Sequence, residues 1–253
     1  MAPPGIDLLV FGPHPDDLEI GLGGTIARHV DMGSTVGLCD MTAGEMGSNG
    51  TVEQRLREAE AAGAVLGAAW RENLRLPDRQ IGKSPDHLAT VTAFVRRHRP
   101  RVVAAPYWSD RHPDHVAASA LITEAVFNAG LRKYKAEGEA WKAEWICYYF
   151  INDADKPSFV VDVSEYYEKK RQALDCHVTQ FVPAGSGSAT TRLNTPLFRQ
   201  LIESRDAQFG ALAGFTWAEG FVVREPVSRS TLFREPAFAS GFGAAGSPAF
   251  KQP

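Results

Sequence analysis

The sequence predicts an α/β protein: a mostly parallel sheet with helices on both faces. Three observations predict it. Short, nearly continuous apolar runs alternate with longer segments whose apolar residues recur at helical spacing, which implies parallel strands joined by crossover helices. The first of these runs is stopped by Gly12-Pro13 and another by Pro106, as buried strands are at their turns. Two clusters of histidine and aspartate fall just past the ends of such runs, where open α/β sheets bind their ligands. Together these describe a Rossmann-like architecture with its site at the carboxyl ends of the strands. The 253 residues fit one large domain, read as residues 1–225, with 226–253 as a tail. A chain of this size buries roughly 70–75% of the surface its unfolded form exposes, so it needs no disulfides.

The elements follow in order. Ile6 to Phe11 reads as the first buried strand. Leu18 to Met32 reads as a helix, with Leu22, Ile26 and Val30 four apart. Thr35 to Met41 is a second strand, and Thr42 to Gly50 a glycine-rich loop. Thr51 and Gln54 have the spacing of a capping box, opening a helix that ends at Gly67. Asn73-Leu74 is a short strand, Asp86 to Arg97 a helix, Arg101 to Ala105 a strand and Val116 to Gly130 a helix. Trp145 to Phe150 and Phe159 to Val163 read as strands, and Glu165 to Cys176 as a helix. Val182 to Thr195, rich in Gly, Ser, Ala and Thr, reads as a mobile loop near the site. Pro226 to Pro253 loses all periodicity.

Composition narrows the function. A net charge of −3 argues against nucleic acid as a partner. The sequence has no apolar run long enough to span a bilayer, and Met1–Asp7 lacks a signal peptide's charged start and apolar core, so the cytoplasm is the expected compartment. Cys39, Cys147 and Cys176 stand alone, without a CxxC, which fits a reducing environment; the first two lie in strand-like runs and read as core.

The chemistry sits in Pro13-His14-Pro15-Asp16-Asp17 and Asp110-Arg111-His112-Pro113-Asp114-His115. Each residue before a proline is pushed toward extended backbone, which helps aim these side chains. Imidazole and carboxylate are zinc ligands, usually three in a catalytic site with water at the open position. Calcium and magnesium prefer all-oxygen donors. Iron(II) accepts two histidines and a carboxylate, so the residues leave zinc and iron(II) both open. A single cluster is weak evidence, because His and Asp crowd loops as caps; two at strand ends in one domain are strong.

These residues carry a resemblance. His14-Pro-Asp-Asp-Leu-Glu-Ile-Gly-Leu-Gly-Gly-Thr25, Thr42-Ala-Gly-Glu-Met-Gly47, Arg55 with Glu58, and His112-Pro-Asp-His115 resemble the LmbE-like (PIG-L type) N-acetylglucosamine deacetylases over about Asp7 to Phe221. Within that family Asn73–Arg79, Asp110–His115, Lys156–Asp162 and Ala218–Phe221 are most similar to the bacillithiol-pathway branch, whose members deacetylate N-acetylglucosaminyl malate. The resemblance implies that His14, Asp17 and His115 hold zinc. It implies that Asp16 is the general base, that His112 faces the oxyanion or the leaving amine, and that Asp114 orients a histidine. It also implies a homo-oligomer, hexameric in form. Competing readings are an amidase of mycothiol-type S-conjugates and a sugar-binding module on a degenerate fold; the intact His and Asp set argues against the second.

Malate would bring two carboxylates, and a guanidinium binds a carboxylate bidentately, so Arg55 and Arg111 are the expected anion contacts. Glu45, in the glycine-rich loop, is a candidate contact for a sugar hydroxyl or a brace for the loop. Gly21-Leu-Gly-Gly24 lacks the GxGxxG spacing and reads as close helix–sheet packing. His29, His87, His98 and His177 are expected in solvated or capping roles, and Trp217 and Phe221 at the rim of a sugar pocket or in packing.

Overall fold

The computed structural model describes residues 5–182 and 188–227. The chain runs β1 (Ile6–Gly12), α1 (Asp17–Asp31), β2 (Val36–Asp40), α2 (Val52–Leu66), β3 (Trp70–Asn73), α3 (Pro85–His98), β4 (Pro100–Pro106), α4 (Pro113–Ala129), β5 (Trp145–Tyr149), β6 (Phe159–Asp162), α5 (Tyr167–Cys176), α6 (Val178–Phe181), α7 (Pro196–Ala213) and β7 (Ala218–Val222). The strands form one sheet in the order β3-β2-β1-β4-β5-β7-β6. β1 to β5 are parallel, whereas β7 runs antiparallel to both β5 and β6.

Strand side chains alternate between two cores. Leu9 and Phe11 of β1 pack with Phe94, Val95 and Ile122 of α3 and α4 on one face. Leu8 and Val10 pack with Ile26, Ala62 and Leu66 of α1 and α2 on the other. Both faces of the parallel strands are covered, which is why β1 and β2 read as apolar runs. Cys39 and Cys147 are buried, as expected.

The order of connection decides where a ligand fits. From β1 the chain moves outward to β2 and β3, then returns to place β4 on β1's other side. The loops after β1 and β4 therefore splay apart at the carboxyl edge, opening a crevice at the switch point. Both histidine–aspartate clusters lie there.

The structure changes several expected boundaries. β3 is Trp70–Asn73, not Asn73-Leu74. α4 begins at Pro113, so His112 is its N-cap and Asp114 and His115 occupy its first turn. α7 and β7 were not expected from the sequence. The glycines of Gly21–Gly24 do serve close packing: a Cβ on Gly21 would lie 2.1 Å from the Tyr149 ring, and one on Gly24 2.7 Å from Val163. Most of the Pro226–Pro253 tail, and residues 183–187 of the expected loop, lie outside the described residues. No helix among the described residues is long and apolar enough to cross a membrane.

Candidate metal centre

His14 leaves the end of β1, and Asp16 and Asp17 open α1. Asp16 is held at φ 120, a conformation an L-residue adopts only under strain, and its side chain makes no cap hydrogen bond. Such strain concentrates at functional sites and persists only where the surroundings enforce it. Asp17 closes the turn on the other side, its Oδ2 accepting from the His14 backbone N–H at 3.0 Å.

That same Asp17 Oδ2 lies 3.1 Å from His14 Nδ1 and 3.3 Å from His115 Nε2. One carboxylate oxygen thus meets an imidazole from each cluster. Behind each ring stands a further carboxylate. His14 Nε2 lies 3.3 Å from both Asp78 Oδ1 and Asp114 Oδ2. His115 Nδ1 lies 3.1 Å from Asp110 Oδ1. Two three-residue groups could hold an ion here, His14 with His112 and His115, and His14 with Asp78 and Asp114. Metal-ligating histidines almost always give their second nitrogen to such a carboxylate or carbonyl, which fixes the tautomer.

The electrostatics follow from burial under this load of acid. Burial pulls the His14 imidazole down, but hydrogen bonds to Asp114, Asp17 and Asp78 outweigh it and raise the ring well above its usual value. Burial lowers His115 likewise, and Asp17 and Asp110 reverse this to about 9. Asp17, penalised by burial, is driven well below the carboxylate range by the charges of His115 and His14.

Asp16 behaves differently. Burial raises it to about 6 against the opposing charge of Arg55, with Asp17 adding to the rise. A carboxylate tuned near neutrality is what a general base requires. Arg55, itself buried, donates Nη2 to Pro15 O at 2.7 Å and Asp16 Oδ2 at 3.3 Å, and Nη1 to Gly44 O at 2.9 Å. These contacts make Arg55 a partner of Asp16 on the cavity wall; Glu58 accepts from Thr179 and does not pair with it. Glu45 accepts from the Asp78 backbone N–H at 2.7 Å, which braces the glycine-rich loop.

His112 Nδ1 accepts from the Asp114 backbone N–H at 3.2 Å. Burial, then the charges of His115 and His14, lower its pKa, so the ring is neutral at pH 7 and carries its proton on Nε2. Arg111 is exposed on the cavity wall and makes no hydrogen bond or ion pair among the described residues. The cavity, of about 250 Å³, joins His14, Asp16, Asp17, His112 and His115 to Met46, Arg79, Arg111, Asn152, Gln180 and Thr191. A wider groove of about 540 Å³ beside α2 and β3 contains none of these imidazoles.

Other expectations are corrected. His177 is fully buried 3.2 Å from Glu19, neither solvated nor a side-chain cap. For Trp217, which stacks on Tyr167 at 4.1 Å, and Phe221, which is buried, the packing alternative of the two expected holds. Sequence reasoning gave no role to Asp78, Arg79 or Asn152. Asp78 and Arg79 follow the carboxyl end of β3, and Arg79 donates twice to Asp114. Asn152 follows β5 and donates to Asp110 from both its backbone and its side chain. Asp78 and Arg79 lie within the Asn73–Arg79 stretch that carries the resemblance, whereas Asn152 has only its strand-end position as a signal.

The fold and site define an α/β enzyme with a histidine–carboxylate centre at a topological switch point. The family model described as GlcNAc-PI de-N-acetylase (PIG-L) matches residues 9–126, which span both clusters. Diacetylchitobiose deacetylase of Thermococcus kodakarensis is 29% identical over 228 residues, covering 84% of this chain and 81% of that protein. A 1D-myo-inositol 2-acetamido-2-deoxy-alpha-D-glucopyranoside deacetylase of Rhodococcus opacus is 27% identical, covering 72% and 84%. The crystal structure of the conserved protein TT1542 from Thermus thermophilus superposes with a TM-score of 0.82 at 39% identity, covering 91% of this chain and all of that one. These matches support the PIG-L type deacetylases as the family this chain resembles, and the chain is a deacetylase, a hydrolase.

Proposed function

We propose that the protein is a zinc-dependent N-deacetylase of an N-acetylglucosaminide, with His14, Asp17 and His115 as zinc ligands. The observation that carries this is donor spacing. His14, His112 and His115, one from the first cluster and two from the second, each offer a donor atom within 4.8 Å of the others, and Asp17 Oδ2 reaches His14 and His115 at 3.1 and 3.3 Å. The acetylated-sugar deacetylases among the relatives support the substrate class. Iron(II) suits the same donors, and elemental analysis of the purified protein separates the two. When bound, zinc polarises the amide carbonyl and lowers the pKa of water at its open position to ~7.

The chain's own groups do the rest. Asp16 accepts the proton of the attacking water and returns it to the departing nitrogen. His112, neutral with its proton on Nε2, donates to the developing oxyanion; one such donor is worth about 3–4 kcal/mol. Arg55 holds Asp16 in place. Asp114 and Asp78 hold His14, and Asp110 holds His115.

The aglycone in this reading is anionic, L-malate, which would place the protein in bacillithiol biosynthesis. The exposed, unengaged Arg111 supports it, as does Arg79, whose side chain is 43% exposed in the same cavity wall. A homo-oligomer belongs to the same proposal and is checked by light scattering. The deciding experiment compares deacetylation of N-acetylglucosaminyl malate, an inositol glycoside and diacetylchitobiose by zinc-loaded protein. We expect the malate conjugate to be fastest. Faster turnover of an uncharged substrate removes malate and leaves the deacetylase, whereas no turnover of any of the three removes the N-acetylglucosaminide class.

A further inference from the structure

α1 is not one continuous helix. At Leu22 the backbone leaves the helical region (φ −149, ψ 27). A break of this kind leaves carbonyls unpaired before it and N–H groups unpaired after it, and buried groups of either kind must find partners. Arg205 of α7 donates Nη2 to Ile20 O at 2.7 Å, before the break. Glu219 of β7 accepts from Gly24 N at 3.0 Å and Thr25 N at 2.7 Å, after it. Between these two residues runs a chain of alternating charge. Arg205 Nε donates to Asp206 Oδ1 at 2.9 Å, Lys170 Nζ to Asp206 Oδ2 at 2.7 Å, and Lys170 Nζ to Glu219 Oε1 at 2.6 Å. All four residues are buried and their formal charges cancel.

Burying two ion pairs adds little stability, because desolvation offsets most of the attraction. The geometry suggests a different use. Besides Ile20, Arg205 holds Phe150 O at 3.0 Å and Ile151 O at 2.9 Å, at the end of β5. Ile20 and Ile151 both line the cavity. Asp17 lies three residues before Ile20. Asn152, next to Ile151, donates to Asp110, the carboxylate behind His115. One guanidinium therefore ties the turn that carries Asp17 to the segment that supports His115.

We infer that Arg205, braced by Asp206, Lys170 and Glu219, is a positioning residue for the metal centre. It sets Asp17 against His115 without touching either. A lysine at this position keeps the charge but cannot span three carbonyls and a carboxylate. The inference rests on reading His14, Asp17 and His115 as zinc ligands.

The test measures the zinc dissociation constant of the full chain by chelator competition, alongside kcat and KM, for wild type, Arg205→Lys and Glu219→Gln. Arg96→Lys is the control. Arg96 is also buried and also gathers backbone carbonyls, of Ala129, Leu131, Tyr134 and Ala136, but outside the cavity. Arg205→Lys should weaken zinc binding about tenfold or more, the effect of losing a group behind a ligand, and should lower kcat more than it raises KM. Glu219→Gln should shift both in the same direction, and it decides alone if Arg205→Lys does not fold. Arg96→Lys should lower the urea midpoint while leaving zinc affinity unchanged. Folded Arg205→Lys and Glu219→Gln proteins with wild-type zinc affinity overturn the inference, as does an equal loss of affinity in Arg96→Lys. A wild-type protein that takes up no zinc overturns the metal reading and the inference with it.

Discussion

Asp16 and Arg55 show how a side chain's role depends on what it is bonded to. The guanidinium beside Asp16 opposes the rise that burial imposes on the carboxyl. Arg55→Met therefore removes an influence that lowers the Asp16 pKa, so the base stays protonated to higher pH. We expect the acid limb of the kcat/KM profile to move to higher pH in Arg55→Met, with little change on the alkaline side. An unmoved acid limb places the limb on another group. If Asp16 is the base proposed above, Asp16→Asn should abolish turnover without lowering metal content, the loss appearing in kcat because a base acts in the transition state. Arg111 predicts the opposite pattern. With no protein partner among the described residues, its replacement by Lys should raise KM for N-acetylglucosaminyl malate and spare an uncharged glycoside; equal losses on both would remove the anionic aglycone's main support. Arg55 was expected beside Arg111 as a substrate contact, and sequence could not separate them, because a carboxylate 39 positions away becomes a neighbour only through the fold.

At the scale of elements, the glycines of α1 show what the broken helix requires. Gly21 faces Tyr149, whose hydroxyl donates to Phe11 O at 2.7 Å, so the ring cannot retreat without stranding a buried hydrogen bond. Gly21→Ala should cost about 1–3 kcal/mol, as overpacking does, despite alanine's better helix propensity; a urea midpoint at or above wild type would refute this. The helices and strands with one clean apolar period were legible in the sequence, and so were the two site clusters, because each is contiguous. α7 was not, since it divides its apolar residues between the two cores, Phe198 and Ile202 on one and Phe209 on the other, leaving no single stripe. β7 was hidden by Glu219, a buried carboxylate inside a five-residue strand. Asp78 and Asn152 reach the centre from loops after β3 and β5; Asp78 lies in a stretch singled out only for its resemblance, and nothing local marks Asn152.

Across the whole molecule, the site stands on a second layer of buried charge whose effect on stability depends on pH. Glu19, in the first turn of α1, receives Arg71, which also grips Asp40 of β2, and lies beside His177. These contacts join α1, β2, β3 and the segment before α6. Burial raises the Glu19 carboxyl, but the charges of Arg71 and His177 overcome it and lower the group from 4.5 to about 2. A carboxyl with a depressed folded pKa binds protons more readily when unfolded. Its contribution is therefore present in full above about pH 4.5 and lost as pH falls toward 2. The shift corresponds to roughly 3 kcal/mol at neutral pH. Glu19→Gln cannot titrate, so it should lower stability at pH 7 and flatten the decline between pH 4.5 and 2. Urea unfolding at pH 7, 4.5 and 3 measures the slope for both proteins. Equal slopes would place the acid sensitivity on other carboxylates, with Asp17 and Asp110 next in line because both are also held low by histidines.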